Sequence, residues 1–76
     1  MWYKRPMTRV LSDMVANVWK VEVSAGQHVS EGDTLMILES MKTEIPVEAP
    51  RDGVVREVRV AEGGRVAEGD VLAIIE

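Results

Sequence analysis

Gly26-Gln27-His28-Val29-Ser30-Glu31-Gly32-Asp33-Thr34-Leu35-Met36-Ile37-Leu38-Glu39 returns 37 residues later as Gly63-Gly64-Arg65-Val66-Ala67-Glu68-Gly69-Asp70-Val71-Leu72-Ala73-Ile74-Ile75-Glu76. Upstream, the same offset pairs Val18 with Val55, Val21 with Val58 and Val23 with Val60, making 11 identities over the 24 positions from 16 to 39. Agreement at that level marks an internal duplication. In each copy valines alternate with polar residues at the period of two that belongs to a half-buried strand. A glycine turn, a short valine-centred strand, a Glu-Gly-Asp turn and another strand follow. Gly26, Gly32, Gly63 and Gly69 fall where a turn needs positive φ. Short strands at regular turn spacing, with no apolar pattern of period 3.6, predict an all-β fold, a flattened antiparallel sandwich or barrel with halves related by a pseudo-twofold axis.

Outward from the repeat, Thr8 to Leu11 reads as a first strand, and residues 1–7 read as a flexible tail ahead of a single domain at 8–76. The Trp2-Tyr3 pair has no surrounding pattern that would make it a binding patch. Leu35, Ile37, Leu72 and Ile74 are expected in the core. Val18 and Val55 are out of phase with the valines after them, which indicates a bulge or a residue facing a second layer. Pro46 lacks a ladder donor and so favours an edge strand or a local break in pairing. Ala49-Pro50-Arg51-Asp52-Gly53 is a turn by composition and links the halves.

Composition narrows the function. A domain of 76 residues buries only about 60% of its unfolded surface, so a small core has to suffice. The chain has no cysteine, hence no disulfide and no thiolate metal site, and its single histidine, His28, does not build a zinc site alone. Nine Lys and Arg against 13 Asp and Glu give a net charge of -4, which argues against nucleic acid as a partner. No apolar run is long enough to span a membrane and no signal-peptide pattern opens the chain, so a cytoplasmic protein without membrane or metal partners is expected. An autonomous enzyme fails on inventory, since no nucleophile and base pair can be assembled.

One feature breaks the symmetry. Glu39-Ser40-Met41-Lys42-Thr43-Glu44 joins two runs that read as strands, Thr34 to Glu39 and Thr43 to Glu48, and so puts Lys42 at the tip of a tight hairpin; the second half has no lysine. Ser40 and Met41 lack the Asn-Gly or Asp-Gly chemistry that two-residue hairpin turns favour. Solubility does not call for a methionine beside a lysine at such a tip, and both choices point to recognition by a partner. Lysine amines in water are protonated at neutral pH, so whatever acylates one must take that proton. Schiff-base and general-base roles need a desolvating pocket that the sequence does not supply.

The run Glu39-Ser40-Met41-Lys42-Thr43-Glu44-Ile45-Pro46-Val47, with Gly32-Asp33 before it and Ala49-Pro50 and Gly53 after it, resembles the attachment motif of biotinyl domains. The resemblance covers roughly positions 8 to 76 and is greatest to small stand-alone biotin/lipoyl attachment proteins and biotin carboxyl carrier domains. It implies a flattened barrel-sandwich hybrid of two four-stranded antiparallel sheets. The family's protruding thumb loop would be an insertion in the first half, where this chain aligns with its second half without a gap.

By the same resemblance Lys42 would receive covalent biotin from a biotin protein ligase, with Met41 and Thr43 as flanking recognition residues. Glu39 and Glu44 become candidates for orienting the ligase. The carrier would then move a carboxyl group between a biotin carboxylase and a carboxyltransferase, itself performing no bond chemistry. Thr43 stands where the family usually has a second methionine. The lipoyl branch typically has an acidic residue before its lysine and alanine after it, so Met41 favours biotin over lipoate. The alternatives are a lipoyl carrier domain and an unmodified interaction module on the same scaffold.

Overall fold

The computed structural model describes residues 6–76. Residues 1–5 of the expected tail, with Trp2 and Tyr3, lie outside the described residues. Eight strands follow in order: β1 (Thr8–Leu11), β2 (Ala16–Val21), β3 (His28–Val29), β4 (Thr34–Ser40), β5 (Thr43–Glu48), β6 (Gly53–Val58), β7 (Arg65–Val66) and β8 (Val71–Ile75). They form two antiparallel four-stranded sheets, the first ordered β5-β4-β2-β7 and the second β1-β8-β6-β3.

Adding 37 to the residue numbers of β2 and β3 gives β6 and β7, and adding it to the start of β4 gives the start of β8. The same operation turns one sheet order into the other, with β1 standing where β5 does. The halves also trade strands. Ala16 of β2 pairs with Val66 of β7, and Val29 of β3 pairs with Gly53 of β6, so each sheet takes a two-residue strand from across the link, and the second sheet takes β1 as well.

Four ladder irregularities obey the duplication too. Trp19 is the extra residue of β2 against β4, between the pairs Val18–Leu38 and Lys20–Ile37; Arg56 is its counterpart in β6, between Val55–Ile75 and Glu57–Ile74. Leu35 is extra in β4 against β5, and Leu72 in β8 against β1. A bulge explains why Val18 and Val55 break the alternation, because one extra residue reverses the side-chain phase beyond it.

The phase reversal corrects one expectation. Leu35 and Leu72 are wholly buried, but so are Met36 and Leu38, while Ile37 is half-buried and outside the core. Past the bulge, Met36 and Leu38 face the interior and Ile37 faces out. Its counterpart Ile74 also faces out; it is buried, at 9% exposure, without joining the core cluster, and sits in the ladder between Arg9 and Glu57. The core proper lies between the sheets, and Val18, Leu35, Met36, Leu38, Val55, Leu72 and Ile75 are its largest fully buried side chains.

The turns repeat as well. Gly32 and Gly69 have φ of 91° and 90°, a conformation that costs glycine little and other residues much. The next residue fixes each turn: Asp33 Oδ2 accepts from the Ser30 N–H at 2.9 Å, and Asp70 Oδ2 accepts from the Ala67 N–H at 2.8 Å. In the link between the halves, Arg51 donates through Nε to Thr8 Oγ1 at 2.9 Å and through a terminal nitrogen to the Pro6 carbonyl at 2.7 Å. Gly53 packs against the final strand so closely that a Cβ there would lie 2.5 Å from the Glu76 carbonyl oxygen and 2.8 Å from Ile75 Cγ2.

Candidate functional site

β4 and β5 stay paired up to Ser40 opposite Thr43, which leaves Met41 and Lys42 as the whole connection. The central pair of the turn is therefore Met41-Lys42, one position later than the Ser40-Met41 reading of the sequence. Both residues have positive φ, 52° and 65°, as the primed hairpin turn requires for its twist to match the flanking strands. Side chains other than Asn and Gly pay about 1 kcal/mol or more for that region. Two strained residues in succession at an exposed tip are a local rule broken, and such outliers concentrate at functional positions.

The strain is held in place from below. On the inner face Ile45 lies opposite Leu38 and Val47 opposite Met36, which anchors the hairpin to the core. β5 is an edge strand, which is where Pro46, opposite Ile37, does least harm to the ladder. On the outer face Glu39 lies directly between Asn17 and Glu44. At the tip, Met41 is 95% exposed, and Lys42, Thr43 and Glu44 are exposed with it. Lys42 takes part in neither of the two ion pairs found among the described residues.

The tip lies at the opposite end of β5 from the link between the halves. β5 runs back from it for six residues, about 20 Å at the usual rise per residue, before Arg51 grips Pro6 and Thr8. The hairpin presents its amine on an exposed end. Such an arrangement can offer a side chain to another protein's active site.

All five residues singled out in the sequence thus meet at one end of the first sheet: Met41 and Lys42 in the turn, Thr43 beside it, Glu39 and Glu44 opposite each other. One residue on the same sheet was overlooked. Trp19 is 48% exposed on the bulge of β2, and its signal in the sequence is that the duplication sets a tryptophan against Arg56.

Comparison with known proteins agrees with this geometry. Residues 4–75 match the model of the biotin/lipoyl family, described as "Biotin-requiring enzyme". The biotin/lipoyl attachment protein of Bacillus subtilis is 54% identical over 46 residues, 60% of this chain and 63% of that protein. A biotinylated protein of Mycobacterium leprae, the TB7.3 homolog, is 48% identical over 52 residues, 68% of this chain and 73% of that one. Among solved structures, the urea carboxylase of Kluyveromyces lactis superposes with a TM-score of 0.88 at 33% identity over 100% of this chain and 7% of that much longer one. The chain belongs to the biotin/lipoyl family. Within it, this is a biotin-requiring carrier domain, related to biotinylated proteins and to a subunit of a biotin-dependent carboxylase.

Proposed function

We propose that Lys42 is the residue that carries biotin, attached as an amide by a biotin protein ligase, and that the domain serves as the mobile carrier of a multi-subunit carboxylase without catalysing any step itself. The observation that carries this reading is the Met41-Lys42 turn: two strained residues set a primary amine at the end of a rigid, core-anchored hairpin, free of ion pairs among the described residues. The tip meets the chemical need. The Lys42 Nζ gives up a proton to a base on the ligase and attacks the acyl carbon of a biotinyl-adenylate held there. An amide bond forms and the activating group leaves.

Attached biotin supplies the ring that takes up a carboxyl group at a biotin carboxylase and releases it at a carboxyltransferase. What this chain adds is placement. The four-carbon stem of Lys42 and the two-residue turn lengthen the arm, while the sheet keeps its base rigid, and such a tether raises the effective concentration at each partner site to roughly the millimolar range. Met41 and Thr43 are the side chains a ligase meets first. The resemblance of the Bacillus protein, named for both biotin and lipoate, makes lipoate the outcome to exclude.

Intact mass after co-expression with a biotin ligase and biotin, with peptide mapping across Lys42, tests the reading. One biotinyl group on Lys42 upholds it. A lipoyl or octanoyl mass on Lys42 keeps the fold and replaces the cofactor, and an unmodified Lys42 under either ligase leaves an interaction module.

A further inference from the structure

The duplication supplies an internal comparison for each surface position, and one pair of equivalent faces differs in kind. On the outer face of the second sheet, Arg56 pairs with Glu76 at 3.2 Å and Arg59 pairs with Glu57. Ile74, flanked in the ladder by Arg9 and Glu57, is almost covered. On the first sheet the residues equivalent to Arg56, Glu57 and Arg59 are Trp19, Lys20 and Glu22, and among the described residues no ion pair forms between them.

There Trp19 stands half out of the surface with Lys20 Nζ 5.9 Å from its ring centroid. Lys20, Ile37 and Pro46 lie side by side across β2, β4 and β5, with Ile37 half-buried and Pro46 exposed. One row nearer the tip come Glu39 and Glu44. Where one half of the molecule seals its outer isoleucine under charged neighbours, the other leaves an apolar strip with an acidic border.

We propose that this strip, made by Trp19, Ile37 and Pro46, is the docking surface for the enzyme that acylates Lys42, and that the enzyme meets it with an apolar patch bordered by basic residues. The inference rests on Lys42 being the acylated residue. Charge decides the chemistry of the occupant. Glu22, Glu39 and Glu44 on the same stretch of sheet outnumber its one cation, Lys20, so the border is acidic on balance and a basic border is the complementary one. Reach decides which enzyme it is. An acylating enzyme has to bring its donor to an amine at the end of a four-carbon stem, which presses its surface against the hairpin. Enzymes that act on the attached group meet it at the end of a much longer arm. Pro46 lies four residues from Lys42, about 13 Å along the strand, well within the footprint of an ordinary interface of about 800 Å² per partner. Tryptophan is also the residue type most enriched where interface energy concentrates.

The test is the rate of labelled biotin incorporation by a biotin protein ligase, followed against the concentration of the full chain. Trp19→Ala and Trp19→Arg are the variants; arginine already occupies the equivalent bulge at position 56, so the backbone accepts it. Leu11→Ala is the control, since Leu11 is 51% exposed on the second sheet. Thermal melting confirms that each variant is folded.

The expected result is a rise in KM of about tenfold for Trp19→Ala, the size of a truncated interface aromatic. Trp19→Arg should raise KM further, kcat should hold in both, and Leu11→Ala should leave both constants unchanged. Trp19 variants within twofold of a wild type that is labelled on Lys42 would overturn the docking surface and leave the carrier reading standing. An equal loss in Leu11→Ala would overturn it as well. A wild type that takes no label removes the carrier reading and this occupant together. Normal labelling with slowed carboxyl transfer by a purified carboxylase would give the strip to that partner and refute the assignment to the ligase.

Discussion

Glu39 and Glu44 stand directly opposite each other on β4 and β5, next to the Ser40–Thr43 pair that closes the turn. Like charges in that relation repel, and a favourable pair in the same place contributes roughly 0.2 to 1 kcal/mol. The scaffold carries this repulsion beside the residue it presents. Replacing one carboxylate, as in Glu44→Gln, is expected to raise the stability of the apo domain by a few tenths of a kcal/mol, read as a higher urea midpoint at unchanged m-value. A lower midpoint would show that Glu44 is engaged favourably.

Strain in the turn makes a separate prediction. Asparagine tolerates positive φ better than methionine, so Met41→Asn should stabilise the domain by about 0.5 to 1 kcal/mol while making it a poorer ligase substrate. Stability and labelling measured on the same preparations would move in opposite directions. A Met41→Asn protein labelled as fast as wild type would show that Met41 is not read.

Lys42→Arg keeps a long cationic side chain at an exposed site, and the melting temperature should stay within about one degree because surface changes away from packing or networks are nearly neutral. Acylation should vanish, since a guanidinium is not a useful nucleophile. Any biotinyl mass retained by this variant would move the attachment elsewhere.

The bulges set the cost of truncation. Leu35→Ala and Leu72→Ala, both at wholly buried bulge positions related by the duplication, should each cost about 2 to 5 kcal/mol. Ile37→Ala, outside the core, should cost less than about 1.5 kcal/mol. Equal costs at 35 and 37 in chemical denaturation would contradict the reversed phase of β4.

Gly53→Ala offers the clearest steric test. The added methyl meets backbone at 2.5 Å, which the chain can relieve only by moving β6 away from the final residues, at a cost of about 1 to 3 kcal/mol. A neutral substitution would mean that this contact is looser than described.

Much of this architecture was legible in the residues. The offset of 37 delivered the duplication, the turn glycines and the pseudo-twofold relation, and the strands on either side of Lys42 fixed the hairpin. What escaped was whatever depends on counting residues across a ladder. A single extra residue at Leu35 turns Ile37 outward, yet along the chain Leu35-Met36-Ile37-Leu38 is one apolar run with no phase to read. The outward role of Trp19 is hidden for the same reason. Arg51, which joins the link to Pro6 and Thr8, was invisible because its partners are more than 40 residues away in sequence and no local pattern announces them.

The exchanged strands β3 and β7 bear on how the domain assembles. Cut within the Pro50-Arg51-Asp52 link, neither fragment could finish its own sheet: the first would lack β7, and the second would lack both β3 and β1. Two separate half-length chains could satisfy both sheets only by meeting, and their folding would depend on concentration. Joined through residues 50–52, the second strand is always at hand, so the platform beneath Lys42 forms equally well from a single dilute molecule.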